Sequence, residues 1–80
     1  MNMQLILVSP EKKETVEVAW VELNTPSGNY IIQAGHAPMA MALSPKQPII
    51  YAHKNGKEEI VMAERGIAEI TRMQVTILLS

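Results

Sequence analysis

The dipeptide Asn55-Gly56 stands between two short runs rich in apolar residues, residues 49–53 and 58–63. Asn-Gly flanked in this way is the strongest short-range signal for a β-hairpin, because tight hairpin turns need residues that tolerate positive φ. A chain of 80 residues makes one domain, 1–80, with a small core. The hairpin therefore predicts that much of this domain is antiparallel sheet.

Residues 58–70 carry a competing helical pattern. The stretch is rich in Glu, Ala and Met, and Ile60, Ala63, Ile67 and Ile70 fall at helical spacing. Gly66 in the middle of the stretch and the hairpin register favour two strands broken around residues 64–66 instead.

Residues 15–23 alternate on both sides of a strand. Val16, Val18 and Trp20 share one face, and Ala19, Val21 and Leu23 share the other. We expect a long strand that is buried on different faces along its length, as in a small all-β, two-sheet β-sandwich. Other predicted elements are a charged turn at residues 11–14 and short strands at residues 3–8, 30–32, 39–43 and 74–79.

The strand at residues 39–43 alternates large side chains with alanines. We expect its Ala face to pack closely against a neighbour. Its methionines are interpreted as core filler, because Met adapts to irregular gaps, with a ligand-binding Met surface as the less favoured alternative.

Composition argues against several kinds of site. Seven basic residues are scattered and the net charge is −1, so nucleic-acid binding is not expected. The sequence has no Cys and no Asp, and His36 and His53 have no neighbours at metal-ligand spacing. No serine lies in a nucleophile motif and no glycine-rich phosphate loop occurs, so we predict no catalytic residues, no metal and no cofactor.

The N-terminal residues and the apolar runs bear on location. Residues 1–4 lack the features of a signal peptide, and the apolar runs are far shorter than the roughly 20 residues of a membrane-spanning helix. Cytoplasmic residence is the expectation.

The run Gly35-His36-Ala37-Pro38-Met39 predicts a rigid corner. Gly35 permits positive φ, while Pro38 fixes its own φ and pushes Ala37 toward extended geometry. The run resembles the Gly-His-Ala-Pro loop of the epsilon subunit of rotary F-type ATP synthases. Residues 5–11, ending in Ser-Pro-Glu, residues 66–70 (Gly-Ile-Ala-Glu-Ile) and residues 75–78 also resemble landmarks of that family's N-terminal domain, in order and at its spacing.

The resemblance implies a β-sandwich and a role without catalysis. In that family the domain belongs to the central stalk, binds the gamma subunit, rests on the c-ring and so couples ion-driven rotation to ATP synthesis. The implied location is peripheral, at the cytoplasmic face of the bacterial inner membrane, with membrane association only through the complex. The implied c-ring contacts are Ser27, Gly28, Asn29, Tyr30, Ile31 and Ile32. The implied gamma contacts are Gly35, His36, Ala37, Pro38, Met39, Met41 and Leu43.

Three departures from the family pattern modify these expectations. Asn29 stands where many relatives carry an acid, so contact there is expected to be neutral. Arg65 replaces the first glycine of a Gly-Gly pair, which leaves the geometry of that turn open. The sequence stops at Ser80, before the family's C-terminal helices, so we expect neither self-inhibition nor an ATP site.

Two further alternatives stay open. Tyr30 beside Ile31 is either part of an apolar patch for a partner or a core tyrosine. The hairpin lysines, Lys54 and Lys57, also permit a free-standing interaction or biotinyl/lipoyl-like carrier module with a modifiable Lys.

Overall fold

The computed structural model describes residues 2–80, and these contain eight strands and no helix. No helix among them could therefore cross a membrane. The strands are β1 (Met3–Val8), β2 (Lys13–Thr25), β3 (Gly28–Ile32), β4 (Met39–Ala42), β5 (Pro48–His53), β6 (Glu58–Met62), β7 (Gly66–Ile70) and β8 (Gln74–Leu79). The predicted all-β class and β-sandwich are confirmed.

The strands form one continuous sheet in the order β4-β7-β8-β1-β2-β5-β6, with β3 paired to β2. Among the strands of residues 2–80, only β1 and β8 pair in parallel. This sheet folds into two layers, and the long strand β2 belongs to both of them. Its first half pairs with β1, and its second half pairs with β3 and β5.

A β-bulge in β2 explains the two-sided pattern of residues 15–23. The register with β5 shifts between Val18 and Trp20. The bulge adds one residue, so the inward side changes from even positions to odd ones. Val18 before the bulge and Val21 after it are both completely buried. The expected change of buried face is confirmed, although β2 starts at Lys13 and the preceding turn occupies residues 9–12.

The core lies between the layers and is apolar. Alternation in every strand sends one set of side chains inward, and no polar or charged side chain is buried among the described residues. The largest fully buried side chains are Leu5, Val18, Val21, Leu23, Ile32, Ile70, Val75 and Ile77.

The predicted hairpin is formed by β5 and β6. The amide of Gly56 donates to the His53 carbonyl (2.9 Å), and the amide of His53 donates to the Lys57 carbonyl (2.7 Å). Only the glycine of the Asn-Gly pair has positive φ, at 93°. This pattern is a three-residue loop with a glycine bulge rather than the two-residue turn that Asn-Gly also favours.

The remaining boundaries are close to the predicted ones. Residues 58–70 form β6 and β7, so the helical pattern is not realised. The expected close packing of the Ala face of β4 is wrong, because Ala40 and Ala42 are exposed while Met39 and Met41 pack against the core. These two methionines are core filler, as predicted.

Candidate docking surfaces

The turn between β2 and β3 opens the first candidate segment, residues 27–32. The Thr25 hydroxyl donates to the Gly28 carbonyl (2.9 Å) and accepts from the Ser27 amide (3.1 Å). Gly28 has a φ of 133°, a conformation that L side chains rarely adopt. The Thr25 side chain therefore holds the turn, and the turn exposes Ser27 to solvent.

Side chains of β3 alternate between the core and the solvent. Ile31 is 56% exposed, whereas Ile32 is completely buried. Tyr30 is half-buried and packs against the core, on the face opposite to Ile31. The inclusion of Ile32 as a partner contact is therefore wrong for its side chain, and Tyr30 and Ile31 do not form one patch.

The Asn29 side chain is hydrogen-bonded to two side chains of the neighbouring strand β2. Its amide nitrogen Nδ2 donates to Glu22 Oε2 (2.9 Å) and to Asn24 Oδ1 (3.0 Å) on β2. A carboxylate is thus held beside the neutral side chain. Glu22 was missed from the sequence because only the β2–β3 register brings position 22 next to position 29 in space.

The second candidate segment, residues 35–43, begins at the predicted corner. Gly35 has a φ of 89°, and its amide donates to the Arg72 carbonyl in the β7–β8 turn (2.6 Å). The half-buried His36 places ring atom Nδ1 2.8 Å from the Ala37 carbonyl. A carbonyl oxygen only accepts, so Nδ1 carries the proton and Nε2 of a neutral ring is left as an acceptor.

The end of this segment belongs to the core. Leu43 is buried, and its amide donates to the Gly66 carbonyl (2.9 Å). The expected Leu43 contact is therefore wrong for its side chain. The exposed part of β4 is its alanine side, where Ala42 pairs with Ile67, and Ile67 pairs with Leu78. Ile67 and Leu78 are 56% and 53% exposed and extend this apolar row beyond the predicted residues.

The fold brings the two candidate segments together. A surface groove of about 380 Å³ lies between the β2–β3 turn and β4. Its lining residues come from both sides and are Thr25, Pro26, Ser27, Tyr30, Met39, Ala40, Met41 and Ala42. Sequence reasoning assigned these segments to different partners, and the structure places them side by side.

Arg65 lies directly before β7, and Gly66 begins this interior strand between β4 and β8. Arg65 and Ser80 exchange backbone hydrogen bonds (3.4 and 3.1 Å), and neither Arg65 nor Gly66 has positive φ. A Cβ on Gly66 would lie 3.0 Å from Leu43 Cδ1. A side chain at position 66 would therefore require Leu43 to shift by a few tenths of an ångström, and Arg65 is compatible with the turn.

Charged side chains cluster near the β5–β6 hairpin. His53 Nε2 lies 2.9 Å from Glu59 Oε2, and this hydrogen bond lowers the pKa of Glu59. Burial raises the pKa of Tyr51, whose ring meets His53 edge to face. Lys54 pairs with Glu17 at 3.4 Å.

Within residues 2–80, no three His or Glu side chains are grouped to hold a metal ion.

The fold and its exposed surfaces define a small β-sandwich with candidate docking surfaces on its turns and outer faces. The chain belongs to the family of ATP synthase delta/epsilon chain beta-sandwich domains, whose family model matches residues 2–80. The resemblance inferred from the Gly-His-Ala-Pro corner is thereby confirmed.

Two solved structures share the fold. A chain of the Euglena gracilis mitochondrial ATP synthase OSCP/F1/c-ring assembly matches with a TM-score of 0.89 and 21% identity, over 98% of this chain and 50% of that one. A chain of the Tetrahymena thermophila mitochondrial ATP synthase central stalk and c-ring matches with a TM-score of 0.79 and 16% identity, over 99% of this chain and 63% of that one. The chain thus spans about half the length of the first. A comparison with curated protein sequences yields no match.

Proposed function

We propose that this chain is a non-catalytic central-stalk subunit of a rotary ATP synthase that joins the gamma subunit to the c-ring. The family match over residues 2–80 is the observation that carries the proposal. The family consists of stalk subunits. A stalk subunit that binds partners explains the exposed surfaces better than the alternative, a carrier module with a modifiable Lys54 or Lys57. The chain acts by shape and contact, and it transmits torque between ion flow and the catalytic head.

The arrangement of the candidate segments supports two simultaneous partners. Residues 27–31 are proposed to face the c-ring through the turn, Asn29 and Ile31. Residues 35–42 are proposed to face gamma through the corner and the alanine side of β4. The shared groove is lined by residues of both segments, which supports the proposal that the two partners bind neighbouring surfaces of one domain.

Location follows from the same proposal. The subunit is peripheral and reaches the membrane only through the complex. We propose the cytoplasmic face of a bacterial inner membrane, while both similar structures come from mitochondrial enzymes.

Co-purification with gamma and the c-ring tests the proposal. The tagged chain is expected to retain both partners when the other stalk subunits of its source are co-expressed. If neither partner is retained under conditions in which those subunits assemble with one another, the proposed function is wrong.

His36→Ala sharpens the gamma half of the test. The Nδ1 bond to the Ala37 carbonyl is local to the corner, so its loss costs the fold only about 1 kcal/mol. We expect weaker gamma binding with a nearly unchanged thermal midpoint. His53→Ala, in the β5–β6 hairpin and outside the proposed gamma segment, is the control and is expected to leave gamma binding intact. A large drop in the midpoint of His36→Ala with normal binding would show that this histidine is purely structural.

A further inference from the structure

The outer face of the layer β3-β2-β5-β6 carries an apolar row across four strands. Ile31 pairs with Glu22, Glu22 pairs with Ile50, and Ile50 pairs with Ile60. Directly paired residues point to the same side of a sheet, so these four side chains form one line, about 4.8 Å apart from strand to strand. Ile60 is 65% exposed, and Met62 in the adjacent row is 62% exposed.

Glu22 is the one ionisable side chain within this row. Ile31 and Ile50 flank it, and the Asn29 amide fixes its carboxylate at 2.9 Å. Among residues 2–80 the ion pairs involve other acids, namely Glu14, Glu17 and Glu59. The carboxylate is therefore positioned by one neutral donor, the Asn29 amide, and is paired with no cation of the described residues.

A partner that covers this row removes the Glu22 carboxylate from water. Burying an unpaired carboxylate is costly, so a stable complex needs a cation opposite it. A purely apolar partner does not supply one. A second copy docked about a two-fold axis near Glu22 brings two carboxylates toward each other, which is unfavourable, and a copy docked about an axis elsewhere offers Glu22 no cation from this row. The charge pattern selects an apolar protein surface with a Lys or Arg.

We propose that this row is an extension of the c-ring contact, in which Glu22 pairs with a Lys or Arg of the ring. This inference rests on the proposed function. Its support beyond charge is continuity, because Asn29 and Ile31 belong both to the candidate ring segment and to this face. The contact thus runs from β3 across β2 and β5 to β6, and its acid comes from β2 rather than from position 29.

Binding to separately purified c-ring and gamma tests the proposal. The probes are detergent-solubilised c-ring and isolated gamma, each immobilised and titrated with the full chain at low and high salt. Glu22→Gln is expected to weaken c-ring binding about tenfold at low salt, to reduce the salt dependence and to leave gamma binding unchanged. Glu58→Gln removes the same charge from the exposed edge of the same face and is expected to bind like the wild type.

The possible failures are distinguishable. If the wild type binds both probes and Glu22→Gln binds the ring equally well, this inference is wrong while the proposed function stands. Loss of gamma binding alone would assign the row to gamma and overturn the occupant proposed. Dimerisation of the free wild type that Ile60→Asp abolishes would assign the face to a second copy. If the wild type binds neither probe, the proposed function itself fails. The thermal midpoint of Glu22→Gln, expected to equal that of the wild type, excludes misfolding as a cause.

Discussion

Gly35 is the residue on which the corner depends. Its φ of 89° is unfavourable for a side chain, although an added Cβ would meet nothing within 4 Å. The cost of Gly35→Ala is therefore conformational, about 1 kcal/mol, and it should appear in the free energy of unfolding measured with denaturant. Gly35→Asn should cost less, because Asn tolerates positive φ better than Ala. Equal losses for the two variants would contradict this explanation.

Other single residues show what a sequence can and cannot reveal. The corner was predictable because Gly35 and Pro38 restrict their own backbones. The bond between Asn29 and Glu22 was not, since it depends on a register between two strands. Ile32 and Leu43 were assigned to partner contacts by position in a motif, whereas the alternation of β3 and the end of β4 turn both side chains into the core.

At the scale of elements, local patterns predicted most boundaries. β1 spans the short apolar run and β8 the alternating run that predicted them, and the break at residues 64–66 follows from Gly66 and the hairpin. The bulge in β2 was not predicted from the sequence. Its one sign in the sequence was the change of the buried face between Val18 and Val21. Bulges are set by the mismatch of two strands, so they are visible only once the pairing is known.

The β5–β6 hairpin should show a specific pH dependence. The His53 hydrogen bond lowers the pKa of Glu59 below its ordinary value of 4.5, so the folded state binds fewer protons there than the unfolded state. The resulting stability is present above that ordinary value and is lost as the pH falls through the lowered one. The thermal midpoint of the wild type should therefore decline more steeply in acid than that of Glu59→Gln. Parallel declines would contradict a role for this pair.

At the scale of the molecule, the two layers depend on one strand. β2 is the element that pairs in both, so the layers cannot separate without breaking it. A domain of this size buries only about 60% of the surface that its unfolded chain exposes, and its stability is correspondingly modest. Exposed apolar rows on both outer faces add surface that water covers until a partner does.

Partner binding should consequently stabilise the whole domain. A ligand that binds only the folded state at about 100 times its Kd adds about 2.7 kcal/mol. For a domain of 60–100 residues each kcal/mol raises the thermal midpoint by about 4–8 °C, so saturating gamma should raise it by more than about 10 °C. The shift in the thermal midpoint is measured by scanning fluorimetry of the chain, which carries a fluorescent label at the hairpin tip, with and without gamma. The same concentration of an unrelated protein should leave the midpoint unchanged, and an unchanged midpoint with gamma would mean that this domain does not bind it.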